Sequence, residues 1–235
     1  MRMEKLTKAV LGGMALGALA AGTLAGNVSA AENTVRPQTI VMTDGEVDDM
    51  DSFMRFLLYT NDVDVRGIIY TSSEWHYKGD GKGTKFTTHM DIVKLYHPGY
   101  HTDLRWCGTD WIRQYIEKYR TVYPKLVQHD KNYPTADKLQ SLVKVGNIDF
   151  EGEMAKETEG SNFIKEQLLA ADTAPIYFET WGGANTFARA LKSIEEQYKG
   201  TAEWDSIYQK VSKKAILYNI MDQDDTYKAY IAIHW

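Results

Sequence analysis

Cysteine is almost missing from this chain. Cys107 stands alone among 235 residues, so no internal disulfide can form. Proline is scarce as well, with 5 in the whole chain, and no internal repeat or low-complexity tract interrupts it. No serine-nucleophile motif, phosphate loop or zinc motif occurs. His76, His89, His97, His101 and His129 show no metal-ligand spacing, and each reads as a structural or surface residue.

Positive charge is in deficit. The chain carries 27 basic and 32 acidic side chains, a net charge of −5. Part of the basic total sits in a leader. Arg2, Lys5 and Lys8 precede an apolar, Ala- and Gly-rich run over residues 10–24, and Val28-Ser29-Ala30 fits a small-residue cleavage site. Residues 1–30 therefore read as a secretory signal peptide, too short and wrongly flanked for a membrane anchor. Taking Arg2, Lys5, Lys8 and Glu4 from those totals leaves 24 basic and 31 acidic groups, a net charge of −7, on residues 31–235. That balance argues against nucleic acid and anionic membrane as partners. The expected location is secreted or periplasmic. The remaining length suits one α/β domain with a sizeable core. Without disulfides, an exported protein relies on that core or on a bound metal. The 6 Trp and 15 Tyr fit a sugar-binding surface as well as an ordinary core.

What the chain does have is concentrated in residues 39–56, TIVMTDGEVDDMDSFMRF. Thr39-Ile40-Val41-Met42-Thr43 is apolar and β-favouring without alternation, as a strand buried on both faces requires. Met50, Phe53, Met54, Leu57 and Leu58 then mark one stripe of a helix. Between them lie Asp44, Glu46, Asp48 and Asp49. Four carboxylates in six residues repel one another. A helix N-terminus compensates partly, through free N–H groups and the dipole. A hard divalent cation compensates better, because it takes oxygen ligands. Capping and solvation of these side chains is the plainer reading.

Farther along, residues 63–70 read as a second strand, and the polar, Gly-rich stretch 71–84 as a long loop. Helices are expected at 86–96, 109–119, 135–144 (capped by Thr135), 161–170 (capped by Ser161), 186–198 and 203–213. Residues 122–133 read as irregular between Pro124 and Pro134. Residues 174–180 and 215–220 read as further strands, and 230–234 as the start of another. Alternating strands and helices give an open, mostly parallel, doubly wound sheet with helices on both faces. Such sheets bind ligands beyond the carboxyl ends of their strands. Asp44 to Asp49, Ser73 to His76, Trp181-Gly182-Gly183, and Asp222, Asp224 and Asp225 all follow expected strands, so all fall at that edge. The last acidic group reads equally as a solvated helix start.

The pattern Asp44-x-x-x-Asp48-Asp49, closing a buried strand and opening a helix, resembles the Asp-Pro-Gly-x-Asp-Asp signature of nucleoside hydrolases. The fuller stretch TDGEVDDMDSFMRFLLYTND is more similar still to the nucleoside hydrolase-like domain of a secreted bacterial family known as cellulose-binding. Met42 replaces an earlier Asp of the superfamily, and Gly45-Glu46 replaces Pro-Gly. The resemblance implies that Asp44 and Asp49 ligate Ca²⁺. It also implies that Asp48 lies beside the sugar hydroxyls and that Asp44 takes the proton of a metal-bound water. ETWGGANTFARAL, residues 179–191, resembles the second signature, Thr-Gly-Pro-Leu-Thr-Asn. That match implies a backbone carbonyl ligand from Thr180, or from Trp181 with a one-residue slip; otherwise the segment is a Gly-Gly turn before a helix. Glu74 falls where nucleoside hydrolases carry a ribose-contacting Asn. An ionised carboxylate accepts from hydroxyls but cannot donate, so Glu74 reads as a substrate contact or as a further ligand. Trp75 reads as a stacking platform or as a loop aromatic folded onto the core. The superfamily also supplies a late Asp ligand. Residues up to Trp235 offer none, so the chain is expected to be incomplete at its C-terminal side.

Two functions follow from the resemblance. One is a secreted, Ca²⁺-dependent hydrolase of N-glycosidic or related glycosyl bonds, with a small glycoside or a polysaccharide as substrate. The other is a non-catalytic, cellulose-binding protein reusing the same fold. A remnant without ligand is the weakest reading.

Overall fold

A computed structural model describes residues 35–235, so the signal peptide read at 1–30 lies outside the described residues. From Arg36 onward the chain forms one unit. Among the described residues, no helix is long and apolar enough to cross a membrane.

The first strand, β1 (Gln38–Thr43), is buried along almost its whole length and leads through the acidic turn into α1 (Val47–Leu57). Then come β2 (Asp64–Tyr70), α2 (Asp91–Tyr96), α3 (Trp111–His129), α4 (Ala136–Ser141) and β3 (Val143–Val145). The second half holds α5 (Glu159–Leu169), β4 (Ile176–Thr180), α6 (Asn185–Tyr198), α7 (Trp204–Lys214) and β5 (Ala215–Asn219). A π-helical turn, Tyr227–Ile231, runs into the short α8 (Ala232–His234).

All five strands are parallel, in the order β3-β2-β1-β4-β5. β1 therefore has a neighbour on each side, with Met42 level with Ile69 of β2 and Thr180 of β4. The sheet separates two cores. Ile40 and Met42 join Ile69 and Phe178 under α5, α6 and α7, where Ile164, Phe187, Leu191 and Val211 are buried. On the opposite face Ile68 and Tyr70 pack with Phe53 of α1, Ile112 and Ile116 of α3, and Leu139 of α4. This is the doubly wound sheet that alternating elements require. On the α1 side of β4 and β5, Tyr177, Ile216 and Tyr218 are exposed.

Several elements differ from the sequence reading. Residues 122–129 are helical, because α3 runs through Pro124, and Tyr123 and Leu126 pack against the buried Tyr119 side of the core. The helix expected at 86–96 begins only at Asp91; Phe86 instead bridges His101 in an antiparallel contact. The helix expected through Lys144 stops at Ser141, and Val143–Val145 joins the sheet beside β2. Thr158, not Ser161, caps α5. Ser161 is the third residue of that helix and returns a side-chain bond to the Thr158 N–H, which forms a capping box. Residues 230–234 are helical rather than extended, since Ile231 is buried against α6 and the Tyr230 hydroxyl donates to Glu195 at 2.5 Å.

Candidate metal and ligand site

The four strand-end segments do meet. Thr71 N–H donates to Thr43 C=O (2.9 Å), and Trp181 N–H donates to Met42 C=O (2.9 Å). Gly183 N–H donates to Ser72 C=O (2.9 Å), and Glu74 N–H donates to Gln223 C=O (3.0 Å). The loops after β1, β2, β4 and β5 are thus stitched into one floor at the carboxyl edge of the sheet.

Two glycines let them approach. Gly45 has φ +86°, and a Cβ there would stand 2.4 Å from Cys107 Sγ and 2.8 Å from Trp111 Nε1. Only glycine tolerates both the left-handed backbone and that contact. A Cβ on Gly183 would stand 2.3 Å from Asp224 Oδ2 and 2.4 Å from the Ser72 carbonyl oxygen.

Asp44 lies at the centre, with no exposed surface. Its Oδ1 accepts the Glu46 N–H at 3.1 Å, while its Oδ2 has no hydrogen-bond partner. His76 Nδ1 is 3.8 Å from that oxygen and is also buried without a partner. Asp44, Glu46 and His76 each offer a donor atom within 4.8 Å of the others. Asp49 plays a different part. Its Oδ2 accepts from Thr43 Oγ1 (2.5 Å) and from the Asp44 N–H (3.2 Å), and so fixes the peptide from which Asp44 hangs.

The electrostatics are those of a site built for positive charge. Burial, and then the Asp49 carboxylate, push Asp44 well above the usual carboxylate range. Burial also raises Asp49. Burial with the charges of Asp48 and Asp49 lifts Glu46 to about 7, against an opposing pull from Arg105. Burial, with Glu151, Asp224 and Glu46 adding to it, lifts Glu74 to about 8. Glu74 is fully buried and neither of its carboxylate oxygens has a partner. Burial, then Arg105 and His97, hold His76 down at about 4, so its imidazole is neutral at neutral pH and can ligate. Buried polar atoms without partners are rare in folded proteins. Here the orphaned Asp44 Oδ2 and His76 Nδ1 face each other, and a divalent cation among Asp44, Glu46 and His76 fits them.

The other expected site residues are distributed as follows. Asp48 is exposed on the first turn of α1, where it lines a groove with Asp51, Ser52, Arg55, Phe56 and Tyr59. Trp75 is half-buried, packs beside the Tyr77–Val93–Leu104 cluster, and has Tyr96 and His97 at ring distances of 6.3 and 6.2 Å. The Thr180 carbonyl accepts the Ile220 N–H at 2.9 Å, and the Trp181 carbonyl accepts from Gln223 Nε2 at 2.6 Å. Of the late acidic group only Asp224 is buried. It accepts from Asn185 N–H (2.9 Å), Thr226 N–H (3.1 Å) and Thr226 Oγ1 (2.6 Å), and burial raises it to about 6. Asp222 accepts the N–H groups of Tyr227 and Lys228, as a helix start does.

The sequence reading left His76 out of the site. Its one signal was position, two residues after Glu74 on the loop leaving β2.

Residues 38–235 match the model of a protein family described as "Cellulose-binding Sde182, nucleoside hydrolase-like domain". Among solved structures the chain is similar to a nucleoside hydrolase-related hypothetical protein from Saccharophagus degradans that is associated with carbohydrate metabolism. The TM-score is 0.62 and the identity 23%, over 81% of this chain and 40% of that one. The chain thus spans less than half the length of that relative. No curated protein matches it.

Proposed function

The chain belongs to the cellulose-binding, nucleoside hydrolase-like family, and from that membership we propose that it is a secreted, divalent-cation-dependent hydrolase of glycosyl bonds. One observation carries this reading: the unpartnered Asp44 Oδ2, buried at the carboxyl end of the central strand beside Glu46 and His76. A carboxylate in that setting is destabilised unless a cation or a proton joins it.

Asp44 and Glu46 would hold the cation with His76; the family resemblance names it as Ca²⁺, with Asp49 and the Thr180 carbonyl as further donors. When bound, such an ion supplies Lewis-acid polarisation and makes a nearby water more acidic. Oδ2 would be the Asp44 atom given to the cation, and Asp44, ionised beside that charge, would take the proton of the attacking water on Oδ1, which has a lone pair besides the one that accepts the Glu46 N–H. Water adds to the anomeric carbon as the glycosyl bond breaks. The positive charge that develops on the sugar ring is stabilised by nearby carboxylates. Glu74, with two free oxygens, accepts hydrogen bonds from sugar hydroxyls when ionised. Asp48 and Trp75 stand at the rim as substrate contacts, the latter offering an indole face.

The test is release of reducing sugar or free base from glycosides, with and without EDTA, for the natural chain and for Asp44→Asn. Chelator-sensitive turnover that Asp44→Asn abolishes supports the proposal; turnover indifferent to both overturns it.

A second reading, a non-catalytic binder of cellulose, is favoured by the family's description and by exposed aromatics, among them Tyr96 beside Trp75. Tyr96 and Tyr100 are exposed and Trp75 is half-buried. Retention on insoluble cellulose without sugar release would select it.

A further inference from the structure

We infer that the cation of this site is a borderline transition-metal ion of the Mn²⁺-to-Zn²⁺ series rather than Ca²⁺, and that His76 is one of its ligands. The inference rests on the reading above that a cation sits against Asp44.

The donor set is the first argument. Ca²⁺ surrounds itself with six to eight oxygens. Imidazole suits Zn²⁺, Cu²⁺, Fe²⁺ and Ni²⁺, whereas carboxylates suit Mg²⁺, Ca²⁺ and Mn²⁺, so it is the imidazole in this mixed set that points to the transition series. His76 is 96% buried by surface area, since only 4% of it is exposed, and its Nδ1 has no hydrogen-bond partner. That nitrogen faces the free Asp44 oxygen at 3.8 Å. Two ligands of one transition-metal ion, each about 2.1 Å from it, sit roughly 3–4 Å apart. The pair is therefore spaced as co-ligands and lies beyond direct hydrogen-bond distance.

The second argument is where the other oxygens have gone. The Asp49 oxygen that reaches Asp44, Oδ2, accepts two protein hydrogens, from Thr43 and from the Asp44 peptide. The strand-end carbonyls of Thr180 and Trp181 accept from Ile220 and Gln223. Asp49 thereby orients a ligand from the outer shell, a role that metal sites commonly give to a carboxylate. The donors within 4.8 Å of one another are two carboxylates, Asp44 and Glu46, and one imidazole, a three-ligand set with open positions of the kind catalytic sites keep.

Affinity alone cannot test this, because most sites bind Zn²⁺ more tightly than Ca²⁺, and His89, His97 and His101 offer surface nitrogens. The measurement is calorimetric titration of chelator-stripped protein with Mn²⁺, Co²⁺, Zn²⁺, Ca²⁺ and Mg²⁺ singly, on the natural chain, Asp44→Asn and His76→Gln. Pulsed electron paramagnetic resonance of the Mn²⁺-loaded natural chain accompanies it. The expected result is one saturable Mn²⁺ and Co²⁺ site that Asp44→Asn abolishes. His76→Gln should weaken it at least tenfold, on the order of 100-fold, as expected from losing a direct ligand when outer-shell changes already cost 10–100-fold. An imidazole nitrogen coupling should appear on Mn²⁺ and vanish in Asp44→Asn. The spectroscopic arm needs no His76 variant, so poor folding of that variant cannot hide the answer. Ca²⁺ binding tighter than Mn²⁺, or Mn²⁺ bound through Asp44 without nitrogen coupling, would overturn the inference and leave the cation reading standing. Absence of any Asp44-dependent binding would overturn both.

Discussion

A Cβ placed on Gly182 would stand 2.9 Å from the Cβ of Asp44 and 3.0 Å from its Cγ. The loop after β4 thus forms a wall against the side chain at the end of β1. Gly182→Ala has no relaxed position there, so it should displace Asp44. The expected cost is about 1–3 kcal/mol of stability, with loss of the divalent-cation response. Thermal melts with and without metal check both; an alanine variant that binds metal normally would show that the wall does not matter.

Asp44→Asn should behave in the opposite way in the absence of cation. It replaces a buried carboxylate lacking a partner on Oδ2 with a neutral amide of the same shape. Melting of the metal-free variant at pH 8 should be unchanged or raised, while added cation should no longer shift it. A substantially lower melting temperature would mean that Asp44 holds the fold rather than a ligand.

Stability of the metal-free protein should fall as pH rises from about 6.5 to about 8 and level off beyond. The unfolded chain gives up the Glu74 proton near the ordinary 4.5, but the folded chain holds it up to about 8. The folded state is therefore progressively penalised across that window. Glu46, held at about 7, acts in the same direction. His76 acts at the other end. Its unfolded value is near 6.5 and its folded value about 4, so stability is lost as pH falls from 6.5 to 4. Each kcal/mol should appear as about 2–4 °C in Tm. A melting temperature that is flat or rising from pH 6 to 8.5 without cation would contradict the assignment. Added divalent cation should flatten the alkaline limb.

Asp224→Ala should be the most damaging of these changes to the fold. Removing this carboxylate strips acceptors from Asn185 N–H, Thr226 N–H and Thr226 Oγ1, all buried. The expected loss is about 2–4 kcal/mol, read by urea denaturation. The far-shorter-range effect of Thr158→Ala, which removes the cap of α5, should be about 1 kcal/mol.

Much of this arrangement is visible in the sequence because it is local. The unalternating run before Asp44 announces a strand covered on both faces, and the stripe of Met50, Phe53 and Leu57 announces α1, although Met54 and Leu58, read into the same stripe, are exposed. The strand-end rule then brings the four loops to one edge, where they are hydrogen-bonded together. Other features depend on distant packing. Val143–Val145 is too short to show a period and is a strand only because β2 offers it a ladder. Pro124 signals a break, yet the helix continues under the contacts of its apolar side. His76 carries no ligand spacing along the chain, and only the pairing of β1 with β2 sets it against Asp44. Asp49, expected as a ligand, accepts from the hydroxyl of Thr43 through Oδ2, a contact between neighbours that the acidic cluster conceals.

Strand β1 is flanked on both sides, and Asp44 follows directly on its last residue. Amides there can exchange with solvent only when the whole domain opens, so deuterium uptake at Val41, Met42 and Thr43 should be the slowest in the chain. A carboxylate mounted on that strand has no private fluctuation by which to retreat from its own charge, and its geometry endures for as long as the protein stays folded.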